Sequence, residues 1–238
     1  MCQDCGCGDP EMVPVDLHAR ILADNDRLSA HNRDHFARLG IFTLNLMGSP
    51  GSGKTALLEA TAKRLGGSLR LGAVSGDLAT DRDAERLRAA GIPAVSITTG
   101  SACHLDAQMI HRSLHRLPLS DLDLFVIENV GNLVCPAVYD LGQNANVVTL
   151  SVTEGEDKPL KYPVMFAKVG LVILTKTDLL PHLPGVTVSG FAASLARVMP
   201  DPKLIPLSAL NGDGLDAWIS WLSASLARAH NRQSRRSV

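Results

Sequence analysis

The 238-residue chain contains no apolar run that approaches the roughly 20 residues of a membrane-spanning helix. Its opening stretch, Met1 to Pro10, is polar and rich in cysteine and lacks the apolar core of a secretory signal. Together these absences predict a cytoplasmic protein without a membrane partner. An excess of charge of one sign is also missing. The 23 basic and 24 acidic side chains leave a formal net charge of −1, which gives no general basis for binding nucleic acid. The one basic cluster, His230, Arg232, Arg235 and Arg236, reads as a frayed, solvated terminus. Neither internal repeats nor low-complexity linkers interrupt the sequence. Cysteine is scarce, five residues in all, and a chain this long buries enough surface to be stable without disulfides. In a reducing compartment these thiols serve as metal ligands or nucleophiles.

With those classes removed, the hydrophobic share of 45% and charged share of 20% fit one globular domain with small appendages. Residues 1–13 form a Gly/Cys-rich arm that ends at Pro14. Residues 14–39 read as a leading surface helix, with Leu17, Ile21, Leu22, Leu28 and Phe36 loosely at helical spacing and Gly40 as its stop. Apolar runs then alternate with helical stretches. Strands are expected at Ile41–Met47, Leu69–Ser75, Ala94–Thr98, Leu122–Glu128, Ala145–Val152, Leu171–Thr175 and Leu204–Ser208, with helices at Lys54–Leu65 and Asp81–Ala90. Runs that are continuously apolar suit strands covered on both faces, so an α/β fold with a mainly parallel sheet flanked by helices spans residues 40–230. A basic tail, 231–238, follows.

Gly48-Ser49-Pro50-Gly51-Ser52-Gly53-Lys54-Thr55 fits G-x-x-x-x-G-K-[ST], directly after an apolar strand and before a helix, which places the fold among P-loop NTPases. Glycines let backbone N–H groups turn inward around phosphate oxygens, and the helix presents its positive end to them. Lys54 adds a point charge against the β and γ phosphates, and Thr55 is placed for Mg²⁺. Leu171-Val-Ile-Leu-Thr175-Lys176-Thr177-Asp178 resembles the guanine-reading motif of GTPases, with Thr175 where Asn is usual. A carboxylate at Asp178 accepts two hydrogen bonds from guanine, a donor pair adenine does not offer. Ser208-Ala209 resembles the second guanine loop, where a backbone N–H meets the base oxygen. GTP is therefore the expected nucleotide, with Lys54, Asp77 and Glu128 as catalytic candidates. Glu128 ends an apolar strand where P-loop proteins keep a carboxylate for the Mg²⁺ shell. Asp77 and Asp83 follow the second strand, where a switch segment approaches the γ-phosphate, and they join Thr55 and Glu128 as the expected Mg²⁺ residues. No Gln follows Gly131 in the position small GTPases use, so slow intrinsic turnover is expected.

The cysteines fall in two settings. Cys2, Cys5 and Cys7 form C-x-x-C-G-C on the arm, and Cys103 with His104, and Cys135, lie in loops of the domain. Three thiolates within six residues can wrap one soft or borderline cation, and a square-planar set completed by the α-amino group favours Ni²⁺. Cys103, His104 and Cys135 offer three ligands with an open position, reachable by one ion from a non-helical stretch or across two subunits. His111 and His115 have metal-ligand spacing on one helical face, yet their neighbours Arg112 and Arg116 repel a cation and argue for a plain surface role.

These motifs carry a resemblance to the HypB family of hydrogenase maturation GTPases over nearly the whole chain. The matching stretches are the Met-Cys-x-x-Cys-Gly-Cys start, the P-loop, Gly76-Asp-Leu-Ala-Thr, Thr99-Gly-Ser-Ala-Cys103-His104-Leu-Asp-Ala, Glu128-Asn-Val-Gly-Asn-Leu-Val-Cys135-Pro and Glu156-Asp-Lys-Pro-Leu-Lys-Tyr-Pro. The resemblance implies a GTPase that helps deliver nickel to the large subunit of [NiFe]-hydrogenase, alongside other nickel-insertion accessory proteins, as a GTP-dependent homodimer. It further implies that Cys103, His104 and Cys135 hold a second metal, Ni²⁺ or Zn²⁺, at the dimer interface. The long His-rich stretch of some relatives is missing, so the expectation is delivery and not storage. Two alternatives stand beside this reading: a urease-accessory GTPase and a nickel reservoir whose affinity is set by nucleotide.

Overall fold

The computed structural model describes residues 15–100 and 102–234. Seven strands form one sheet: β1 (Phe42–Gly48), β2 (Leu71–Asp77), β3 (Ala94–Thr98), β4 (Leu124–Glu128), β5 (Ala145–Ser151), β6 (Leu171–Thr175) and β7 (Leu204–Pro206). Their order is β3-β2-β4-β1-β5-β6-β7, and every pairing is parallel. All residues of β1, β4 and β6 are buried, which explains why their sequences show no period of two. The α/β fold with a parallel sheet is as the alternation of runs predicts.

Eight α-helices accompany the sheet among the described residues: α1 (Val15–Leu39), α2 (Lys54–Leu65), α3 (Arg82–Ala89), α4 (Ala107–Leu114), α5 (Lys158–Lys161), α6 (Pro163–Ala167), α7 (Val188–Ala196) and α8 (Leu215–Ser234). One core cluster joins Leu57 and Leu58 of α2 and Trp218, Leu222 and Leu226 of α8 to the sheet. A second joins Phe36 of α1 and Ile110 and Leu114 of α4 to Val74, Phe125 and Ile127. A third holds Met165, Phe166, Phe191 and Leu195 against β5 and β6. No helix among the described residues is long and apolar enough to cross a membrane.

Strand ends differ from the apolar runs where the hydrogen-bond ladder overrides composition. β2 starts two residues later than its run and continues through Gly76 and Asp77, because these pair with Ile97 and Thr98 of β3. That extension carries Asp77 to the carboxyl edge of the sheet. β7 stops at Pro206, the last position paired with β6. Among the described side chains of α1 the buried ones are Asn25, Ser29, Asn32 and Phe36, at helical spacing; of the apolar series Phe36 joins them while Leu22 and Leu28 are half-buried, so this side of the helix is mostly amide and hydroxyl. Asn25 Nδ2 donates to the Asp140 carbonyl at 2.9 Å and its Oδ1 accepts from Ala107 N at 2.9 Å. Asn32 Nδ2 donates to the carbonyls of Ala107 at 2.9 Å and Leu141 at 3.4 Å. Side-chain amides of one helix thus tie together two loops far apart in sequence.

Candidate functional site

The loop between β1 and α2 is shaped by glycine. Gly51 and Gly53 adopt φ of +71° and +94°, in the left-handed region that a Cβ disfavours. At Gly48 a Cβ would stand 2.4 Å from Thr149 Oγ1, so only glycine lets β1 turn here. Lys54 is buried, and its Nζ donates to the carbonyls of Gly48 and Ser49, both at 3.2 Å, curling over the loop. Burial holds this ammonium below its usual pKa range, opposed most by Glu128 and then by Asp83. A cationic side chain buried in a glycine-shaped loop at a helix N-terminus suits a polyphosphate.

Beside the loop lies a cavity of about 390 Å³ that gathers Lys54, Thr55, Asp77, Asp83 and Glu128 on its wall, as the sequence predicts for a phosphate and Mg²⁺ site. Thr55 Oγ1 donates to Glu128 Oε1 at 2.7 Å. Glu128 Oε2 is buried and has no hydrogen-bond partner among the described residues. Burial pushes the Glu128 pKa up to about 7, against the pull of the Thr55 hydrogen bond and of Lys54. A hydroxyl paired with a buried, half-satisfied carboxylate is the donor set a hard dication takes, so these residues fit Mg²⁺. Asp77 Oδ1 accepts from the backbone of Ala79 at 2.8 Å and Thr80 at 2.7 Å, and these bonds hold its carboxyl below the ordinary range. Asp83 lies in the first turn of α3, 3.4 Å from Arg86.

The residues expected around the base also converge. A cavity of about 170 Å³ is lined by Gly53 and Ala56 from the P-loop side and by Thr175, Lys176, Asp178 and Ala209 from the other. Lys176 has the only positive φ, +60°, of a non-glycine among the described residues, which turns the chain after β6. Ser208 Oγ is buried and donates to Asp178 Oδ1 at 2.5 Å, fixing the carboxylate. Thr175, where GTPases usually have Asn, donates from Oγ1 to the Ser52 carbonyl at 2.7 Å, so it joins β6 to the P-loop.

Cys103, His104 and Cys135 come together within a single chain, their ligand atoms all within 4.8 Å of one another. The sulfurs stand 2.7 Å apart, and Cys103 Sγ lies 3.8 Å from His104 Nδ1. Residues 103 and 104 are adjacent and non-helical, which is what lets both face one point. Tyr139 stacks on the His104 ring at 3.9 Å. Burial lowers the His104 pKa, and the Cys103 hydrogen bond raises that of Cys135. Neutral imidazole and a tight thiol pair with an open side form a borderline-metal donor set. The arm cysteines Cys2, Cys5 and Cys7 lie outside the described residues.

Two residues at this edge were not singled out by the motifs. Asn129 lines the phosphate cavity directly after Glu128, and its Oδ1 accepts from the backbone N of Leu105 at 3.2 Å, next to His104. Its Nδ2 donates to Asn45 Oδ1 on β1 at 3.1 Å. Arg86 also faces the cavity, bound to Glu59 through two bonds of 3.0 and 2.7 Å. The position of Asn129 inside the Glu128-to-Cys135 motif was the available signal; Arg86 had none. Gly131 closes the same edge, since a Cβ there would meet Pro50 of the P-loop at 2.8–2.9 Å.

Residues 42–204 match the model of the CobW/HypB/UreG nucleotide-binding domain. The hydrogenase maturation factor HypB of Azotobacter chroococcum mcd 1 is 52% identical over 208 residues, 87% of this chain and 68% of that protein. The HypB of Escherichia coli K12 is 49% identical over 217 residues, 91% of this chain and 74% of that protein. The crystal structure of Helicobacter pylori HypB in complex with nickel superposes with a TM-score of 0.82 at 39% identity, covering 86% of this chain and 96% of that one. Shared sequence over most of both chains, a shared fold and a phosphate loop joined to a thiol-imidazole cluster agree: the chain belongs to the HypB family of hydrogenase maturation factors.

Proposed function

We propose that this protein is a GTP-hydrolysing nickel metallochaperone for the large subunit of [NiFe]-hydrogenase, acting in the cytoplasm with other nickel-insertion accessory proteins. The observation that carries the reading is the Glu128-to-Cys135 segment. Glu128 bonds to Thr55 at the phosphate loop, Asn129 bonds to Leu105 beside His104, and Cys135 closes the thiol-imidazole cluster. One short stretch therefore touches both the nucleotide site and the cargo site.

In this reading the backbone of Gly48, Ser49, Gly51, Ser52 and Gly53 and the Lys54 ammonium bind the phosphates. Asp178, held by Ser208, reads guanine, with Lys176 and Ala209 framing the base. Thr55, Asp77, Asp83 and Glu128 would hold Mg²⁺, which when bound supplies charge neutralisation on the phosphate oxygens. Lys54, Asp77 and Glu128 form the hydrolytic machinery. Cys2, Cys5 and Cys7 on the arm, and Cys103, His104 and Cys135 on the domain, take nickel as cargo, with Zn²⁺ as an alternative occupant of the second set. We assign residues 1–13 to the arm, 14–39 to the leading helix, 40–230 to the GTPase domain and 231–238 to the basic tail.

A GTP-dependent homodimer is supported by apolar side chains left in water at this edge. Val134 and Val138 are exposed on either side of Cys135, as is Leu78 next to Asp77. Single-turnover GTP hydrolysis measured alongside nickel transfer to the hydrogenase large subunit tests the function. Transfer that tracks hydrolysis supports a timed chaperone. Nickel release at the same rate without turnover supports a reservoir instead.

A further inference from the structure

Four of the chain's eight histidines meet on the seam between α1 and α4. His31 and His35 lie four apart on α1, and His111 and His115 lie four apart on α4 and its C-cap, so each pair shares one helical face. The rings of His31 and His111 are 5.1 Å apart across the seam, and those of His111 and His115 are 5.8 Å apart. His35 feels the charges of His31, His111 and His115. With a metal–nitrogen bond of about 2.1 Å and the ring centre about 1.1 Å behind the nitrogen, two neighbouring imidazoles on one ion have centres about 4.5 Å apart at a 90° angle and about 5.2 Å at a tetrahedral one. The measured 5.1 and 5.8 Å are near the upper value.

A second observation concerns orientation. Both donor contacts of the Asn32 amide group go to carbonyls, of Ala107 and Leu141, which leaves Oδ1 as acceptor for His111 Nδ1 at 3.2 Å. The Nδ1–H of His111 therefore donates to Asn32, and its Nε2 lone pair stays available. A metal-ligating histidine takes this kind of outer partner, which fixes both tautomer and ring direction.

We propose that His31, His35, His111 and His115 form a further metal site, an all-imidazole site for a borderline divalent transition-metal ion such as Ni²⁺. The ligand atoms do not yet converge as the thiol-imidazole cluster does, since among the described residues only that cluster brings three within 4.8 Å. His31 and His115 are exposed and His35 and His111 half-buried, so their side chains have room to rotate toward one point. Arg112 and Arg116 are exposed; Arg112 lies three residues before His115 and so borders it, with its charged head in water. Arg38 and Asp34, on α1, are the other charges near His35. This site stands apart from nickel delivery, since metal stoichiometry and not hydrogenase maturation reports on it.

The test uses the full chain with Cys2, Cys5, Cys7, Cys103 and Cys135 all changed to Ser, titrated with Ni²⁺ by calorimetry. The expected result is one equivalent bound at micromolar metal. That affinity should fall about 100-fold in the added double variant His31→Gln/His111→Gln and stay unchanged in His182→Gln, at an exposed histidine elsewhere. No bound equivalent, or undiminished binding in the double variant, would overturn the site. Because the double variant can disturb the seam, carbethoxylation of the unmodified chain provides a second reading. Ni²⁺ should protect all four histidines from the reagent and leave His182 reactive; equal reactivity with and without Ni²⁺ overturns the proposal.

Discussion

At the phosphate loop Ser52, Lys54, Thr55 and Glu128 are all buried, whereas Cys103, His104 and Cys135 are all half-exposed. The first group stands on the end of β4 and the start of α2, fixed by strand pairing and by glycines whose replacement would clash. The second stands on two loops held by side-chain amides from α1. Rigid construction suits a site that positions phosphates for an in-line reaction, and loop construction suits one that takes up and releases cargo. Asn129 joins the two, reaching from the residue after Glu128 to the backbone beside His104.

The largest expected effect breaks the rigid half alone. Lys54→Ala should lower single-turnover GTP hydrolysis by about 10²–10³-fold or more, the range for losing one preorganised charge stabiliser, while Ni²⁺ binding at the thiols stays within a factor of two. Loss of thiol-site nickel affinity in a folded Lys54→Ala variant would show that the two constructions are not separate.

Next in size, Asp178→Asn should reverse base preference. Hydrogen bonds to a charged acceptor contribute about 1.5–3 kcal/mol each, so GTP affinity should drop by at least about tenfold and xanthosine triphosphate should become the better ligand. Competition binding with the two nucleotides and ATP is the check, and equal competition by ATP in the unmodified protein contradicts the base assignment.

A smaller effect comes from the buried carboxylate. Its folded pKa is about 7 against an ordinary 4.5, so between those pH values the folded chain keeps a proton that the unfolded chain releases. That residue therefore costs stability as pH rises from 4.5 to 7, and the loss persists above 7 in the nucleotide-free chain. Glu128→Gln, which cannot ionise, should raise the Tm of the nucleotide-free protein by a few degrees at pH 8 and change it little at pH 4.5. Mg²⁺-dependent GTP binding should weaken in the same variant. An unchanged Tm at pH 8 would mean that Glu128 is solvated in solution.

The two halves were unequally legible in the sequence. The phosphate loop and the Thr175-to-Asp178 stretch are contiguous, and their residue types follow from local geometry, so reading along the chain suffices. The thiol-imidazole cluster was half legible: the ligands are chemically conspicuous, but what positions them is not. Asn25 and Asn32 look like surface residues on a charged helix, and their burial is decided by carbonyls more than 70 residues away. The histidine seam was hidden for the same reason, as His31 and His111 come from helices 80 positions apart in sequence. On α4 alone, the arginine neighbours made the pair look like plain surface.

The smallest effect expected is also the most specific. Asn129→Ala should leave each site with near-normal affinity for its own ligand yet remove their communication, which for allosteric pairs is typically about 1–3 kcal/mol. Asn32→Ala, which loosens both metal-bearing loops, should instead weaken the thiol site whichever nucleotide is bound. The two variants thus separate a link from a support.

The central claim is that phosphate state and cargo affinity are coupled through the Glu128-to-Cys135 segment. It is tested most directly by calorimetric Ni²⁺ binding to the full chain with Cys2, Cys5 and Cys7 changed to Ser, in GDP and in a non-hydrolysable GTP analogue, at fixed dimer fraction. The His31→Gln/His111→Gln background removes the seam from the signal. The account predicts Ni²⁺ affinities that differ between the two nucleotides by about 5–150-fold, with GTP-analogue relative to GDP affinity shifted by the same factor when Ni²⁺ is present, and both differences abolished by Asn129→Ala. Equal Ni²⁺ affinity in both nucleotide states, with the metal located on Cys103, His104 and Cys135, would contradict it.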